Sequence, residues 1–306
     1  MKKNKRFIIA ISTLFVISCV LGFSGCALIS GKKELLEEGD FLYHNYSSEF
    51  IFISGFSKEG RKKAEIVFPK EIGGIPVHSL GNEETIGIES TPRNYFYGEK
   101  EQYGECMVEK VFIPSNVNLT WYGSRGTFGG CTKLYKVVFL SADPQNYSIT
   151  KYGVISRAQT DIKYICLGNI IIAAGYKEKY EEKFEGKFLE ANIEFLLNYH
   201  VDATDEEILQ YREELTNQNK YSETEINALV TEYENKNHAE NEGIYWIDHL
   251  DENQKLRTIP QNPEREGYNF DGWYMDEECT LPVDLGSVIP NADGSTAFLY
   301  AKWEIK

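Results

Sequence analysis

The stretch Gly267-Tyr268-Asn269-Phe270-Asp271-Gly272-Trp273-Tyr274 decides how the C-terminal part of the chain folds. Tyr268, Phe270 and Trp273 alternate with polar positions, and Tyr300 and Trp303 extend the pattern in Phe298-Leu299-Tyr300-Ala301-Lys302-Trp303. Because successive side chains of a strand point to opposite faces of a sheet, both segments predict strands with aromatic rings on one face. Gly267 and Gly272 permit tight turns beside these strands.

The wider pattern runs from Pro260 to Trp303 and joins a Gly-Tyr-x-Phe-Asp-Gly-Trp-Tyr motif to a Leu-Tyr-Ala-Lys-Trp motif. It resembles the internalin B-repeat, also called the Listeria/Bacteroides repeat. The resemblance implies a small β-grasp-like module, which we expect over residues 190–306. It also favours a core position for the Trp273 and Trp303 rings over a role as sugar platforms.

An acidic insertion at about 202–242 separates the first two predicted strands of this module, at 193–197 and 244–248. Thr204 and Ser222 each stand three residues before a Glu, which is the spacing of a capping box. Apolar residues then recur three and four positions apart, which predicts two amphipathic helices. We expect a helical hairpin with a solvated acidic face, and an interaction tip is the alternative.

The preceding part of the chain, residues 39–175, carries a degenerate repeat of short apolar segments, each followed by Pro and a turn. It resembles the BspA-type leucine-rich repeat of bacterial surface proteins. One such unit cannot bury its apolar face alone, whereas stacked units can, so the resemblance implies a short irregular solenoid of about three or four rungs. The residues that match the consensus are Val111, Ile113, Pro114, Val117, Phe128, Cys131 and Leu134.

Residues 176–189 alternate Lys with Glu and are predicted to form a helical connector between the two modules. The fold class that we expect is therefore α+β and mainly β: a short solenoid followed by a β-grasp-like module with a helical-hairpin insertion. The many aromatic residues, 20 Tyr and 17 Phe, suit strands.

The first 25 residues have the pattern of a secretory signal peptide: a basic start, an apolar segment and small residues before a cleavage point. Cys26 follows directly, which resembles a bacterial lipoprotein signal, although Phe23 stands where that family usually has Leu. The resemblance implies that Cys26 is acylated and becomes the first residue of the mature chain. Residues 26–38 would then be a tether that holds the protein at the extracytoplasmic face of the cell membrane. An uncleaved membrane anchor is the alternative.

The charge of the chain excludes some classes of partner. Without residues 1–25, the chain has 28 basic and 47 acidic residues. This strongly acidic balance argues against nucleic acid as a partner and against adsorption onto an anionic membrane, because both require clustered Lys and Arg. Lipid on Cys26 is the expected membrane contact instead.

The sequence contains few signs of catalysis or metal binding. It has no G-x-S-x-G motif and no phosphate-binding glycine loop, and its five histidines lack metal-ligand spacing. We therefore predict no catalytic residues, no metal and no cofactor, with an envelope enzyme of unrecognised type as a remaining alternative. Four cysteines follow Cys26; a disulfide is permitted outside the membrane, and their pairing stays open: Cys106, Cys131, Cys166 and Cys279.

Two aromatic clusters are the best candidates for a binding surface. Exposed Tyr and Trp give a large contact area at low entropic cost, which suits contact with a protein or a glycan. The alternative is that these rings fill the core of an irregular solenoid. We expect non-catalytic recognition or adhesion at the cell surface, with a structural or assembly spacer as the alternative. The candidate residues are Tyr95, Phe96, Tyr97, Tyr103, Trp121 and Tyr122.

Overall fold

The computed structural model describes residues 34–45, 48–80, 105–115, 117–119, 128, 131, 133–144, 147, 170–184, 188–290 and 295–306. The predicted signal peptide, Cys26 and Cys166 lie outside these residues, as do the six aromatic binding candidates between residues 95 and 122. Within the described residues the protein is α+β and mainly β, with three α-helices and three sheets.

The strands are numbered in chain order. They are β1 Leu36–Glu38, β2 Phe41–Asn45, β3 Ile51–Phe56, β4 Glu65–Val67, β5 Glu71–Ile72, β6 Ile75–Leu80, β7 Lys110–Ile113, β8 Asn118–Leu119, β9 Lys136–Phe139, β10 Ile170–Ile172, β11 Phe188–Glu190, β12 Ile193–Leu196, β13 Ile244–Asp248, β14 Tyr268–Tyr274 and β15 Ala297–Ile305. The helices are α1 Lys177–Lys183, α2 Asp205–Asn217 and α3 Glu223–Asn235, and two short 3-10 helices cover Gly60–Lys62 and Glu240–Gly243.

The N-terminal strands form a mixed sheet in the order β1-β2-β3-β6-β5, with β8 also paired to β6. Strand β1 pairs antiparallel with β2. The last three residues of the predicted tether at 26–38 are therefore part of a sheet, because the backbone of residues 36–38 bonds to the edge of β2. A hydrogen bond of 2.9 Å between His44 Nδ1 and the Glu34 carbonyl oxygen holds the segment just before it.

The second sheet is parallel throughout, and its spatial order β4-β7-β9-β10-β11 follows the order of the strands in the chain. Alternate residues of these strands face two different cores. Val111 and Val137 join the core of the N-terminal part, whereas Phe112, Val138 and Ile171 face the C-terminal part. Burial of both faces explains why the central strands β7, β9 and β10 are nearly continuous apolar runs.

The segment that was predicted as a helical connector over 176–189 is only partly helical. Helix α1 ends at Lys183, and Phe188–Glu190 form β11 on the edge of the parallel sheet. The buried Phe188 ring contacts Tyr180 of α1, with ring centroids 5.4 Å apart. Burial of this ring and pairing with β10 outweigh the helical tendency of the preceding Lys and Glu residues.

The C-terminal sheet has the order β13-β12-β15-β14, with the parallel pair β12 and β15 in the middle and an antiparallel strand on each side. The register of β14 shifts between Phe270 and Trp273. Gly272 lies in this shift with φ of +116°, a conformation that favours glycine. The shift leaves Trp273 buried in the core against Phe195.

The inserted helices α2 and α3 form the predicted hairpin. Thr204 and Ser222 are their N-caps, and each makes a complete capping box, with Glu207 and Glu225 respectively. Three buried residues form a small core between the helices: Leu215, Ile226 and Val230. In the described part of the chain, no helix has the length and apolar character needed to span a bilayer.

Candidate functional site

The two modules share a buried interface. The outer face of the parallel sheet packs against the C-terminal sheet, and the Phe112 ring lies 4.4 Å from the Trp246 ring between centroids. Apolar residues of both modules, including Val138, Ile171 and Leu299, belong to the same core cluster. The modules are therefore joined by packing, in addition to the chain connection.

A buried ionic cluster crosses the same interface. Lys110 Nζ lies 2.9 Å and 3.0 Å from the carboxylate oxygens of Asp248, and 3.1 Å from an oxygen of Glu65. The Thr258 hydroxyl also donates to Glu65. Burial raises the pKa of Asp248 to about 6, against the opposing attraction of Lys110. This cluster contributes to the positioning of one module on the other.

Next to this interface, a cleft of about 570 Å³ opens between the two modules. The first wall is formed by residues that follow β4 and β7, and the second by residues around β13 and by the segment 259–261. Lys70 and Glu240 form an exposed ion pair from one wall to the other. The Tyr245 hydroxyl donates to the Gln261 carbonyl at 2.9 Å and fixes the second wall.

The cleft is mostly apolar. Phe68, Leu140 and Trp246 line it. Val67 and Ile259 also line it and are more exposed to solvent, at 40% and 53%. The Trp246 Nε1 atom is buried and has no hydrogen-bond partner among the described residues. Such a surface provides apolar contact area with charged groups beside it, which is the chemistry of binding sites.

The two tryptophans of the C-terminal motif pack in or against the core of the module, in agreement with the core interpretation. Trp273 is buried, and Trp303 Nε1 donates to the Leu197 carbonyl at 2.6 Å. The Arg265 guanidinium stacks on the rings of Tyr199 and Tyr268, 4.2 Å and 3.9 Å from their centroids. Both tryptophan rings therefore contribute to the packing of the module.

Two of the histidines are held by hydrogen bonds to backbone carbonyl oxygens. The ring nitrogens of His238 and His249 bond to the carbonyl oxygens of Tyr233 and Glu190, at 2.8 Å and 2.6 Å. Burial lowers the pKa of His249. The described ranges contain no group of three or more His, Cys, Asp or Glu side chains that could hold a metal ion.

The C-terminal motif has known relatives. Residues 235–302 match the Listeria-Bacteroides repeat domain. This match confirms that a Listeria-Bacteroides repeat is present, and it covers strands β13, β14 and most of β15. The repeat domain therefore supplies the wall of the cleft that contains Tyr245, Trp246 and Ile259.

Two proteins of Evansella cellulosilytica are similar to parts of the chain. One, named "Putative membrane protein", is 34% identical over 104 residues, which is 34% of this chain and 14% of that protein. The other, named "Putative Gly-rich membrane protein", is 35% identical over 85 residues, which is 28% of this chain and 9% of that protein. The chain thus aligns with a small fraction of either relative. No solved structure matches the chain significantly.

Proposed function

We propose that this protein is a non-catalytic cell-surface lipoprotein that recognises a protein or glycan ligand through the cleft between its two modules. The observation that carries the proposal is the cleft itself. It is apolar, it lies between two modules joined by a buried interface, and it presents Val67 and Ile259 to solvent. Binding sites favour such junctions between packed units.

The finer description of the fold belongs to the same proposal. We interpret the parallel sheet as the stacked rungs of a BspA-type leucine-rich-repeat solenoid, because each strand pairs with the next repeat strand along the chain. We interpret the C-terminal module as β-grasp-like, supported by its parallel central strands and antiparallel flanking strands. Both families suggest surface recognition, although a fold alone is weak support for a ligand.

The proposed membrane contact is lipid on Cys26. The signal-like sequence before this residue and the names of the two relatives support it. Metabolic labelling with a fatty-acid probe tests the proposal: the wild-type chain should be labelled, and the Cys26→Ala variant should not. Equal labelling of the two would overturn the lipid anchor and leave the cleft proposal intact.

The cleft proposal is tested with the full chain on a glycan array and on a panel of purified surface proteins. Ile259→Asp places a charge at the cleft and is expected to weaken binding at least about tenfold. The matched control is Leu281→Asp, since Leu281 is as exposed as Ile259 but lies outside the cleft. Equal loss in both variants, or binding that neither changes, would contradict recognition through the cleft.

A structural spacer is the second candidate, and the buried ionic cluster of Lys110, Glu65 and Asp248 favours it, since it helps to fix the two modules as one unit. A spacer needs a rigid junction but no ligand in the cleft. In that case Ile259→Asp would leave surface assembly of the protein unchanged, whereas disruption of the Lys110 cluster would impair it.

A further inference from the structure

The core of the N-terminal part holds two cysteines side by side. Cys106 and Cys131 are 4% and 1% exposed and belong to one apolar cluster. Both are thiols in hydrogen-bond contact with each other, although 24 residues separate them in the sequence. The fold therefore brings together two thiols that no short motif connects.

Backbone hydrogen bonds anchor the chain next to each cysteine. Met107 N donates to the Arg61 carbonyl at 2.7 Å, and Cys131 N donates to the Phe128 carbonyl at 2.9 Å. Disulfides require a narrow range of separations between the two backbones and side chains that point at each other. Two sulfurs in hydrogen-bond contact meet the second of these requirements.

The surroundings also activate one of the thiols. The hydrogen bond from Cys131 lowers the pKa of Cys106 to about 7, and the positive charge of the buried Arg61 acts in the same direction. The same hydrogen bond, together with burial, raises the pKa of Cys131. Since the thiolate is the nucleophile in disulfide exchange, the lower pKa favours Cys106 as the attacking thiol. Both cysteines are buried in the folded protein, so the exchange takes place before the core closes.

We propose that Cys106 and Cys131 form a disulfide in the exported protein. The Cys106 thiolate attacks the disulfide of an extracytoplasmic thiol oxidoreductase, which gives a mixed disulfide and releases one oxidant thiolate. Cys131 loses its proton and displaces the second oxidant thiolate. The two electrons thus pass to the oxidoreductase, which leaves as a dithiol, and an S–S bond joins the two cysteines.

The bond would link two successive rungs of the N-terminal part. It joins the segment before β7 to Cys131, which precedes β9, and closes a loop that includes β7 and β8. Such a cross-link stabilises a fold chiefly by restricting the unfolded chain. The proposal rests on the extracytoplasmic location, because disulfides persist in oxidising compartments.

The test is peptide mapping of the full chain after denaturation in an alkylating agent, without reduction. In protein isolated from cell membranes we expect the Cys106 and Cys131 peptides as one species, about 2 Da lighter than the two reduced peptides together. A second sample is purified, reduced in denaturant and refolded in glutathione redox buffer, and this arm tests the pairing independently of location.

A cross-link in both samples supports the proposal in full. A cross-link in glutathione buffer alone supports the pairing and counts against the proposed location. Alkylation of both thiols after oxidation, or a cross-link from either cysteine to Cys166, overturns the pairing.

Thermal melting of the wild-type protein with and without reductant provides a second test. Reduction of the oxidised wild-type protein is expected to lower Tm by about 5–10 °C. Cys106→Ser and Cys131→Ser should each abolish this shift, whereas the control Cys279→Ser should retain it. Cys279 is a suitable control because it lies in the other module, where Asn198 Nδ2 donates to its sulfur at 3.3 Å. A wild-type Tm that reduction does not change would contradict the cross-link.

Discussion

Lys110 of the parallel sheet and Asp248 of the C-terminal sheet form a buried ion pair, with Lys110 Nζ 2.9 Å from the nearer carboxylate oxygen. The same ammonium group lies 3.1 Å from a carboxylate oxygen of Glu65, and all three side chains are at most 9% exposed. Such a cluster tolerates the loss of a member poorly, because a partner left alone is an uncompensated buried charge.

The first prediction concerns this cluster. Lys110→Met retains most of the side-chain volume but leaves two buried carboxylates without their cation. We expect it to lower the free energy of unfolding by about 3–5 kcal/mol, measured by urea denaturation at neutral pH. Lys302→Met is the control, because its ion pair with Asp271 lies on the surface, and we expect no measurable change there. Equal losses in the two variants would contradict the prediction.

The second prediction concerns the aromatic contact beside the cluster. Phe112→Ala removes a fully buried ring from the stack with Trp246 and should cost about 3–5 kcal/mol. The double variant with Trp246→Ala should cost less than the sum of the single changes, since both remove one contact. Phe298→Ala, at a ring 39% exposed, should cost about 0.5 kcal/mol. Strict additivity in denaturant unfolding would contradict this packing arrangement.

Local sequence patterns predicted the elements whose stabilising contacts are close in sequence. The helices after Thr204 and Ser222 begin where the capping boxes indicated, because a cap involves residues only three positions apart. The alternation of aromatic and polar residues in Tyr268-Asn269-Phe270-Asp271 likewise predicted β14, since it repeats every second residue. By contrast, β11 was missed because the polar residues before Phe188 indicate a helix, and only pairing with β10 makes that segment a strand.

The candidate site was harder to predict for the same reason. The cleft brings together Val67, Trp246 and Ile259, which are far apart in the sequence, and no motif connects them. The sequence also did not predict the ion pair of Lys110 and Asp248, because a single Lys in an apolar strand usually indicates a surface position.

The third prediction concerns pH. Glu194 of β12 is 2% exposed and accepts a hydrogen bond from the Ala174 N–H. Burial, reinforced by the negative charge of Glu190, raises the pKa of Glu194 from 4.5 to about 7. The folded protein therefore retains this proton at pH values at which the unfolded chain releases it. The stability linked to Glu194 is fully present below about pH 4.5 and is lost as the pH rises through 7.

Glu194→Gln isolates this effect, because the amide keeps an acceptor for Ala174 and does not titrate. Between pH 4.5 and 8, the free energy of unfolding of the wild type should fall by roughly 3 kcal/mol relative to the variant. Other titrating groups are present in both proteins and cancel in the difference. Urea unfolding at several pH values measures this difference in the free energy of unfolding. A difference between wild type and variant that does not depend on pH would contradict the raised pKa.

The fourth prediction concerns the helical hairpin, whose small core is separate from the two larger ones. Thr204 Oγ1 accepts from the Glu207 N–H, and the Glu207 carboxylate accepts from the Thr204 N–H at 2.8 Å. Thr204→Ala removes this box and should destabilise the first turn of α2 by about 1 kcal/mol. Amide hydrogen exchange in that turn should then be roughly fivefold faster, with little change at β12 and β15. Ser222→Ala is the matched control, because it should speed exchange at the start of α3 instead. Faster exchange spread evenly over the C-terminal sheet in either variant would show that the hairpin is not a local unit.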